Sequence, residues 1–586
     1  MLNKLLKVDL SRRSFKAERL NEDRLRAFIG GKGVGLSLLA VEDRSRDPFD
    51  LGNPLIFVTG PLTGTTLQTS GRSAVVTRSP LTGGFLDSHA GGHFGTALKR
   101  AGWDYLLITG ISNEPVYLYV TPDGAEFKVA SDLWGKTTFD TENFLCKRHK
   151  GSKVAAIGPA GEHQVRYASI NTELYRQYGR GGAGAVMGSK QLKAVVVSGN
   201  EPVKYHDSIM FRELSKKLTE DLREHPNAKR RYDLGTMMWI RMGQEIGRFL
   251  PTHNFKYGQF PDYEKITAEA MKKELNWTSK GCYGCSVIKC SKHSKWGGKE
   301  VEGPEYETTA FLGSGCELNN PENIAEANRL CDMLGLDTIS SGVCISFAME
   351  CAEKELLSTD ENKWIRFGSA EAVHSLIKMI AYREGIGDTL AEGTRRASAK
   401  IGKGSDYFAI QTAGMELSGV NPLGSYSMGL SLATSDFASH TRLWTATAEM
   451  NHDLKLETLP KVVVDGQDEV NARNSMIVCD FLPYGFDRII PFLNAATGFD
   501  YTSEEIMRAG ARMQSLSRMY NLERGRTHAD DTLPPRFFEE ISFAGLMEGR
   551  RIPRDLFERQ IQEVFALRGW DEEGRPRTNT IQALGL

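Results

Sequence analysis

The sequence lacks the features that typify membrane-spanning, secreted and nucleic-acid-binding proteins. It has no uncharged apolar stretch long enough to span a bilayer. Between Met1 and Phe15, charged residues such as Lys4, Lys7 and Asp9 interrupt the leucines, so the apolar core of a signal peptide is missing. The 73 basic and 74 acidic side chains give a formal net charge of -1, which offers no bulk attraction for nucleic acid or an anionic membrane. We therefore expect a cytoplasmic protein that binds no nucleic acid and has no membrane span.

Disulfide and common nucleotide-binding patterns are missing as well. The nine cysteines are odd in number and occur in a chain without a secretory signal, which favours a reducing cytoplasm over a disulfide scaffold. The run R-G-G-A-G-A-V-M-G-S-K at 180–190 is neither a Walker loop nor a G-x-G-x-x-G dinucleotide motif. Low-complexity segments and solenoid repeats are also absent.

The length of 586 residues exceeds what one hydrophobic core usually serves, which predicts two to four domains. Many of the 59 glycines fall in the first two hundred residues. Short apolar runs separated by turn residues predict strands there, at Pro54 to Val58, Ala74 to Val76, Tyr105 to Ile108, Val116 to Val120, Val154 to Ile157 and Ala194 to Val197. After about Pro202, apolar residues at three- and four-residue spacing predict helices, for example at Ser208 to Glu224, Asn323 to Leu334, Ala370 to Arg383 and Thr502 to Tyr520.

Three thiols fall within the nine residues C-Y-G-C-S-V-I-K-C, at Cys282, Cys285 and Cys290. Their spacing suits one side of an iron-sulfur cluster or a zinc ion, with a fourth ligand from elsewhere. A zinc knuckle is the alternative; a second C-x-x-C downstream is missing, although His293 is available. Candidates for the fourth ligand are Cys316, Cys331, Cys344, Cys351 and Cys479.

Two glycine-rich loops carry arginines. The run from Gly179 to Gly184 contains Arg180, and its glycines let several backbone N–H groups approach an anion closely. The first glycine loop along the chain contains Arg72 and continues in the segment D-S-H-A-G-G-H-F-G at 87–95, so the run from Gly179 to Gly184 is the second glycine loop. Tight turns between strands are the alternative, but two such loops favour one large anionic cofactor.

Acids and a histidine are candidates for proton transfer. Glu305 and Glu307 follow the thiol segment closely, and a partly desolvated carboxylate near a metal can act as a general acid or base. A solvated turn is the alternative for these two, and a hydrogen-bonded core histidine is the alternative for His440. Asp332 and Asp337 flank a helix end at Gly335, where they either meet ring N–H groups of a partner or form a cap and turn.

In this order, the motifs resemble the tungsten-dependent aldehyde:ferredoxin oxidoreductase family. The motifs that carry the resemblance are T-G-P-L-T-G from Thr59, G-R-S-A-V-V-T-R-S-P-L-T-G from Gly71, I-G-P-A-G-E from Ile157, G-R-G-G-A-G-A-V-M-G-S-K from Gly179, E-G-P-E-Y-E from Glu302, C-D-M-L-G-L-D-T-I-S from Cys331 and D-D-T-L-P-P-R-F from Asp530. The resemblance implies an α+β fold in which a β-rich N-terminal base domain (1–203) carries two mainly helical domains (204–409 and 410–586).

The resemblance also implies the cofactors and their ligands. The family binds tungsten, occasionally molybdenum, between two pterins, with Mg²⁺-linked groups and a nearby [4Fe-4S] cluster. It implies that Cys282, Cys285, Cys290 and Cys479 hold the cluster and that Glu307 and His440 lie beside the metal as catalytic residues. The implied pterin-binding residues are Arg72, His89, Gly91, Arg180, Gly181, Ala183, Gly184, Asp332, Leu336, Asp337 and Arg442.

Two departures from the family pattern concern the cluster and the second pterin. Four residues separate Cys285 from Cys290 where well-known members have three. The second pterin motif, usually D-x-x-G-L-C, here starts at Asn474 and ends at Cys479. Some members bridge subunits with iron held by E-x-x-H pairs; Glu371 begins one such pair here, but Glu326 does not.

The implied activity is oxidation of a small aldehyde to a carboxylic acid. The electrons would pass to ferredoxin or to a partner iron-sulfur subunit, and we expect a homo- or hetero-oligomer. Two alternatives stay open: a catalytic subunit of a tungsten-dependent aryl-coenzyme A reductase of the benzoyl-coenzyme A type, and a non-catalytic electron-relay subunit that binds a cluster and no tungsten.

Overall fold

The computed structural model describes residues 3–357 and 363–586 of the chain. Residues up to 197 form two sheets. Their strands are β1 (Lys4–Asp9), β2 (Ser14–Arg19), β3 (Leu55–Val58), β4 (Ser73–Arg78), β5 (Phe85–Ala90), β6 (Tyr105–Thr109), β7 (Val116–Thr121), β8 (Gly124–Val129), β9 (Lys153–Ala156), β10 (Ile170–Thr172), β11 (Arg176–Tyr178) and β12 (Leu192–Val197).

The first sheet has the strand order β2-β1-β6-β3-β4-β5, and the second has the order β11-β10-β9-β12-β7-β8. Strands β1 and β6 are parallel, whereas β3 runs antiparallel to both β4 and β6. Strands β3 and β4 are buried along their whole length, as expected for apolar β-branched runs covered on both faces. The strands predicted from short apolar runs are all present.

The helices of this β-rich part cover the sheets and the glycine loops. They are α1 (Glu22–Phe28), α2 (Gly31–Glu42), α3 (Phe94–Arg100), α4 (Thr138–Arg148), α5 (Pro159–Glu162) and α6 (Ala183–Ser189). Helix α2 is buried along most of its length, including Lys32. It packs between strand β4 and the C-terminal helical region.

The remainder of the chain is mainly helical. Its helices are α7 (Ser208–Glu224), α8 (Pro226–Leu234), α9 (Met238–Glu245), α10 (Ala268–Glu274), α11 (Tyr306–Leu312), α12 (Pro321–Leu334), α13 (Thr338–Glu353), α14 (Ala370–Tyr382), α15 (Ile386–Leu390), α16 (Thr394–Ile401), α17 (Tyr426–Thr434), α18 (Ala446–Met450), α19 (Leu459–Met476), α20 (Phe486–Thr497), α21 (Ser503–Glu523), α22 (Arg536–Glu539), α23 (Arg554–Leu567) and α24 (Thr578–Leu584). The short strands β13 (Thr278–Lys280), β14 (Ser291–Trp296), β15 (Lys299–Glu302), β16 (Gln411–Thr412) and β17 (Met415–Glu416) lie among them.

Local sequence explains where several of these helices begin. The Asn320 side chain accepts from the N–H of Asn323, and Pro321 occupies the first turn of α12. Thr502 and Glu505 form a reciprocal capping box at the start of α21. Helix α12 ends at Gly335, which has φ +78°. The helices predicted from apolar spacing are therefore observed with bounds close to those expected.

The α+β prediction, with a β-rich N-terminal part and a mainly helical remainder, is confirmed. The domain boundaries at 203 and 409 stay a prediction. Within residues 3–357 and 363–586, no helix combines the length and apolar character that a bilayer-spanning segment needs.

Candidate functional site

Glu307 and His440 meet between the helical segments. Glu307 lies in the first turn of α11, and His440 lies in a single 3₁₀ turn that follows α17. Glu307 Oε1 and His440 Nδ1 are 3.3 Å apart. Neither of these buried atoms has a hydrogen-bond partner in the described part of the chain. The two atoms face each other at ion-pair distance without a hydrogen bond between them, so both are candidates to contact a bound molecule.

The other carboxylate oxygen of Glu307 is held by the backbone. Gly419 N–H donates to Glu307 Oε2 at 2.8 Å. A Cβ at Gly419 would lie 2.9 Å from the Tyr306 ring and 3.0 Å from Glu307 Oε2. The Tyr306 hydroxyl donates to the carbonyl of Gly419. Residue 419 is therefore a glycine because the backbone must approach this carboxylate closely.

Arg180 ties together the segments that carry the pair. Its guanidinium donates to the carbonyl of Glu416 at 2.6 Å and to Ser418 Oγ at 3.3 Å. Ser418 Oγ in turn accepts from the backbone N–H of His440 at 3.0 Å. Arg180 also faces Asp337 at 3.3 Å. The arginine of the glycine run thus positions the protein segments around the pair.

A buried charge network lies where α2, β5 and the segment before His440 meet. Lys32 contacts Asp436 and lies 3.5 Å from Asp87. Arg442 contacts Asp87, and its Nε lies 2.7 Å from Asp436 Oδ1. Burial would raise the pKa of Asp87, but Arg442, Lys32 and His89 outweigh it and hold that pKa well below the usual range. His89 Nε2 lies 2.8 Å from Asp87 Oδ2.

One guanidinium nitrogen in this network has no hydrogen-bond partner in the part of the chain that the structure describes. Among the described residues, Arg442 Nη1 is buried and has no hydrogen-bond partner. The guanidinium stacks on the Phe437 ring at 3.9 Å from its centroid. A buried guanidinium N–H without an acceptor is costly, so this atom is a candidate ligand contact.

The cysteines Cys282, Cys285, Cys290 and Cys479 come together. Burial raises the pKa of Cys290, and Glu305, Cys479, Cys282 and Cys285 raise it further through their proximity. Burial also raises the pKa of Cys479 to about 12. Within residues 3–357 and 363–586, no three histidine, cysteine or acidic side chains are close enough to hold a single metal ion. The other fourth-ligand candidates, Cys316, Cys331, Cys344 and Cys351, lie in the main hydrophobic core.

The thiol segment lies directly on the first glycine loop. A Cβ at Gly91 would lie 2.6 Å from Cys282 Sγ, and a Cβ at Gly71 would lie 2.7 Å from Tyr283 N. Tyr283 N–H donates to the carbonyl of Gly92 at 3.1 Å. These glycines are needed because the two segments touch without side chains between them.

The Arg72 side chain lies beside the clustered cysteines. It lies 2.7 Å from Asp480, the residue after Cys479. Burial opposes its charge, but Cys479, Asp480, Cys282 and Cys290 outweigh that effect and raise the pKa of Arg72. A permanent cation therefore stands beside the thiols, where it favours their ionised forms.

The remaining predicted pterin-binding residues lie around helix α6 and the end of α12. A Cβ at Gly184 would lie 2.2 Å from the carbonyl of Ser169, and one at Gly181 would lie 2.4 Å from Leu86. Ala183 and Leu336 are buried. Asp337 caps α13 and faces Arg180, whereas the Asp332 carboxyl accepts from Gln177 and from Asn328 at 3.0 Å. Burial raises the pKa of Asp332 well above its usual range.

Sequence reasoning missed Lys32, Asp436, Gly419 and Asp480 as parts of the site. Asp436 stood four residues before His440, and Asp480 directly followed Cys479, so adjacency to a predicted residue was an available clue. Lys32 lies far from the other motifs, in a glycine-rich helix start, and only the packing of α2 brings it to Asp87.

Comparison with known proteins identifies the family. The family model described as aldehyde ferredoxin oxidoreductase, N-terminal domain, matches residues 5–199, and the model for domains 2 and 3 matches residues 213–586. The chain belongs to the aldehyde ferredoxin oxidoreductase family. The predicted resemblance is thus confirmed.

Relatives within and near this family align over the whole chain. A tungsten-containing aldehyde ferredoxin oxidoreductase of Pyrococcus horikoshii is 37% identical over 606 aligned residues, covering 100% of this chain and 98% of the relative. The WOR-like subunit of an aliphatic sulfonate oxidoreductase of Pyrococcus furiosus is 31% identical, covering 100% of this chain and 96% of the relative. The active-site complex BamBC of benzoyl coenzyme A reductase, solved with 1,5-dienoyl-CoA, shares the fold with a TM-score of 0.86 at 24% identity, covering 100% of this chain and 97% of that one.

Proposed function

We propose that this protein oxidises aldehydes to carboxylic acids with a tungsten, or alternatively molybdenum, bis-pterin cofactor. One water supplies the oxygen, the aldehyde C–H bond is replaced by a C–O bond, and two electrons and two protons are released. The observation that carries the proposal is the pair of unpartnered atoms, Glu307 Oε1 and His440 Nδ1, 3.3 Å apart. Membership of an oxidoreductase family and the 37% identity to a relative named as tungsten-containing support it.

The residues present fit the cofactor on three structural observations. Arg442 Nη1 is a buried donor without an acceptor, which suits an anionic group. Close backbone approach at Gly91 leaves no side chain between the first glycine loop and Cys282. Arg72 adds a fixed positive charge beside it. We propose that Arg72, His89, Gly91, Arg180, Gly181, Ala183, Gly184 and Arg442 surround the pterin phosphates and Mg²⁺, and that Asp332, Leu336 and Asp337 lie by one pterin ring.

We propose that the four thiols bind a [4Fe-4S] cluster. Cys282, Cys285, Cys290 and Cys479 influence one another electrostatically, and four cysteine thiolates are the usual ligand set of such a cluster. Arg72 compensates the negative charge that four thiolates would bring.

Two residues of this chain have direct roles in the proposed reaction. A tungsten bis-pterin held by these residues would supply Lewis acidity and a two-electron acceptor. Glu307, with one oxygen fixed by Gly419 N–H and the other free, accepts a proton from the attacking water at Oε1. His440, oriented through Ser418, presents Nδ1 to the substrate oxygen and donates a hydrogen bond to it as negative charge develops.

The two electrons would leave singly through the cluster to ferredoxin or a partner iron-sulfur subunit. We propose a cytoplasmic enzyme that works as a homo- or hetero-oligomer. The aliphatic sulfonate oxidoreductase relative is named as a subunit, which is consistent with a multi-subunit assembly for this protein. His374, in the E-x-x-H pair on α14, donates from Nε2 to the carbonyl of Asn323 at 2.9 Å, and Glu326 pairs with Lys299 at 3.0 Å. These pairings argue against a subunit-bridging iron at this face.

The test is metal analysis combined with turnover. Protein purified anaerobically after growth with tungstate and molybdate should contain tungsten or molybdenum and about four irons per chain. It should reduce a viologen with aldehydes. Oxidation of reduced viologen by an aryl-coenzyme A, without aldehyde oxidation, would overturn the proposal. About four irons per chain without tungsten or molybdenum would overturn it in favour of an electron-relay subunit.

A further inference from the structure

Aromatic side chains lie directly beside the catalytic pair. The Trp444 ring stands perpendicular to the His440 imidazole, with ring centroids 6.3 Å apart and an interplanar angle of 89°. Trp444 also contacts Trp239, at a centroid distance of 4.7 Å, and Phe249, at 6.2 Å. Trp239 belongs to helix α9, so these rings come from three separate segments.

The same apolar group includes the neighbour in sequence of a residue that binds Glu307. Gly419, whose N–H holds Glu307 Oε2, is followed by Val420. Val420 forms one hydrophobic cluster with Phe249, Met428 and Ala446, against which Trp239 and Trp444 pack. The cluster therefore contacts His440 through Trp444 and is joined through Val420 to Gly419, the residue that binds Glu307.

The two indoles are partly exposed members of this cluster. Phe249 and Val420 are fully buried, whereas Trp239, Trp444 and His440 are only partly buried. The Trp444 Nε1 donates to Thr447 Oγ1 at 3.0 Å, so its polar atom is satisfied by the protein. The remaining ring carbons offer an apolar surface. Covering such a surface with an apolar group is favourable, and aromatic groups gain further from offset or edge-to-face contacts.

We infer that the substrates of the proposed reaction are aldehydes whose carbonyl carbon carries an aromatic ring, and that Trp444 and Trp239 bind that ring. The inference rests on the proposed aldehyde oxidation. Trp444 is the aromatic side chain in direct ring contact with His440, so it is the first candidate to contact a ring attached to a carbonyl carbon bound at His440. The reaction converts an aryl aldehyde and water to the aryl carboxylic acid, two protons and two electrons for the iron-sulfur acceptor.

The first experiment compares three aldehydes with the metal-replete holoenzyme: benzaldehyde, cyclohexanecarbaldehyde and acetaldehyde. The first two have similar size, so their comparison isolates aromaticity from bulk. We expect kcat/KM for benzaldehyde to exceed that for cyclohexanecarbaldehyde by roughly tenfold. In Trp444→Leu and Trp239→Leu, that ratio should fall toward one, mainly through a higher KM for benzaldehyde. Trp134→Leu, a partly buried tryptophan of the β-rich part, is the matched control and should keep the ratio.

The second experiment measures binding without turnover. Benzamide, cyclohexanecarboxamide and acetamide keep the carbonyl and offer N–H groups to Glu307, and their affinities can be compared by calorimetry. We expect benzamide to bind most tightly to the wild-type holoenzyme and to lose that advantage in Trp444→Leu.

The outcomes separate the two proposals. If aldehydes are oxidised but the benzaldehyde ratio is near one, or is unchanged in both tryptophan variants, the inference about the rings is wrong and the proposed function stands. If no aldehyde is oxidised, the proposed function is wrong and the substrate assignment fails with it. Calorimetry then decides whether the indoles bind an aromatic group.

Discussion

Glu307 Oε1 lies 3.3 Å from His440 Nδ1, and neither atom forms a hydrogen bond within the described residues. Glu307→Gln keeps the shape and the contact to Gly419 but cannot accept the proton. We expect kcat for aldehyde oxidation to fall by about 10²–10⁴-fold while tungsten and iron contents are unchanged. Viologen reduction and metal analysis of the same preparation check this.

The matched control is Glu371→Gln, because Glu371 is exposed on α14 and lies in the E-x-x-H pair. It should retain wild-type turnover. Full activity in Glu307→Gln with full metal content would remove Glu307 from the mechanism.

The backbone of the Gly91 loop packs closely against the thiol segment, so a larger residue there should disturb the thiols. In Gly91→Ala the new Cβ would lie 2.6 Å from Cys282 Sγ, so the thiol segment must shift. We expect the iron content per chain and the visible iron-sulfur absorbance to drop. Gly179→Ala, from the second glycine loop, meets only Gln177 Cβ at 3.9 Å and should keep both. Equal iron in the two variants would contradict a cluster at this place.

The buried charge network predicts a large loss of stability in Lys32→Met. Removing the ammonium leaves Asp87 and Asp436 buried with Arg442 as their main compensating charge. Breaking a buried pair in this way costs about 3–5 kcal/mol. Thermal or urea unfolding of the metal-replete protein measures the change.

Two comparisons make this stability test specific. Arg559→Met breaks an exposed, solvent-screened pair with Asp555 and should leave the free energy of unfolding nearly unchanged. Combining Lys32→Met with Asp436→Asn should recover part of the loss, because one uncompensated carboxylate is removed as well. A loss in Lys32→Met no larger than in Arg559→Met would show that the network does not stabilise the fold.

His528 predicts a pH dependence of stability. The Asp531 carboxylate, 3.6 Å from its Nδ1, raises the pKa of His528 to about 9, with the hydrogen bond between Nε2 and Glu558 adding to the effect and burial opposing it. Because the folded pKa lies above the unfolded value of about 6.5, this contribution is complete below that pH and is lost as pH rises toward 9. The melting temperature of the wild type should therefore fall across this interval by more than that of His528→Gln. Parallel pH profiles of the two proteins would contradict the assignment.

Local patterns in the sequence were sufficient for much of the secondary structure. The apolar spacing and flanking residues of Ser208–Glu224 predicted α7, and Asn320 with Pro321 predicted the start of α12. These features depend on neighbours within a few residues, which the sequence displays directly. The three clustered cysteines and the arginine-bearing glycine loops were visible for the same reason.

Other features depend on contacts between remote segments. The sequence did not indicate that Lys32 is buried between Asp87 and Asp436, since the three positions lie in different parts of the chain. It also did not indicate that Gly419 must be a glycine, because the Glu307 carboxylate that approaches it belongs to another helix. The hairpin formed by β14 and β15 was missed because its residues, such as Lys295 and Lys299, lack the apolar alternation of a half-buried strand.

The placement of Cys479 on a different segment from Cys282, Cys285 and Cys290 has a consequence for biosynthesis. The ribosome releases the first three thiols well before the fourth, and the Gly91 loop on which they rest is made earlier still. A group that needs all four sulfur atoms can be inserted only after most of the polypeptide has been translated and its distant parts have docked. Maturation is thereby postponed to a late stage, when a chain that has failed to dock its C-terminal segment presents only an incomplete set of sulfur ligands.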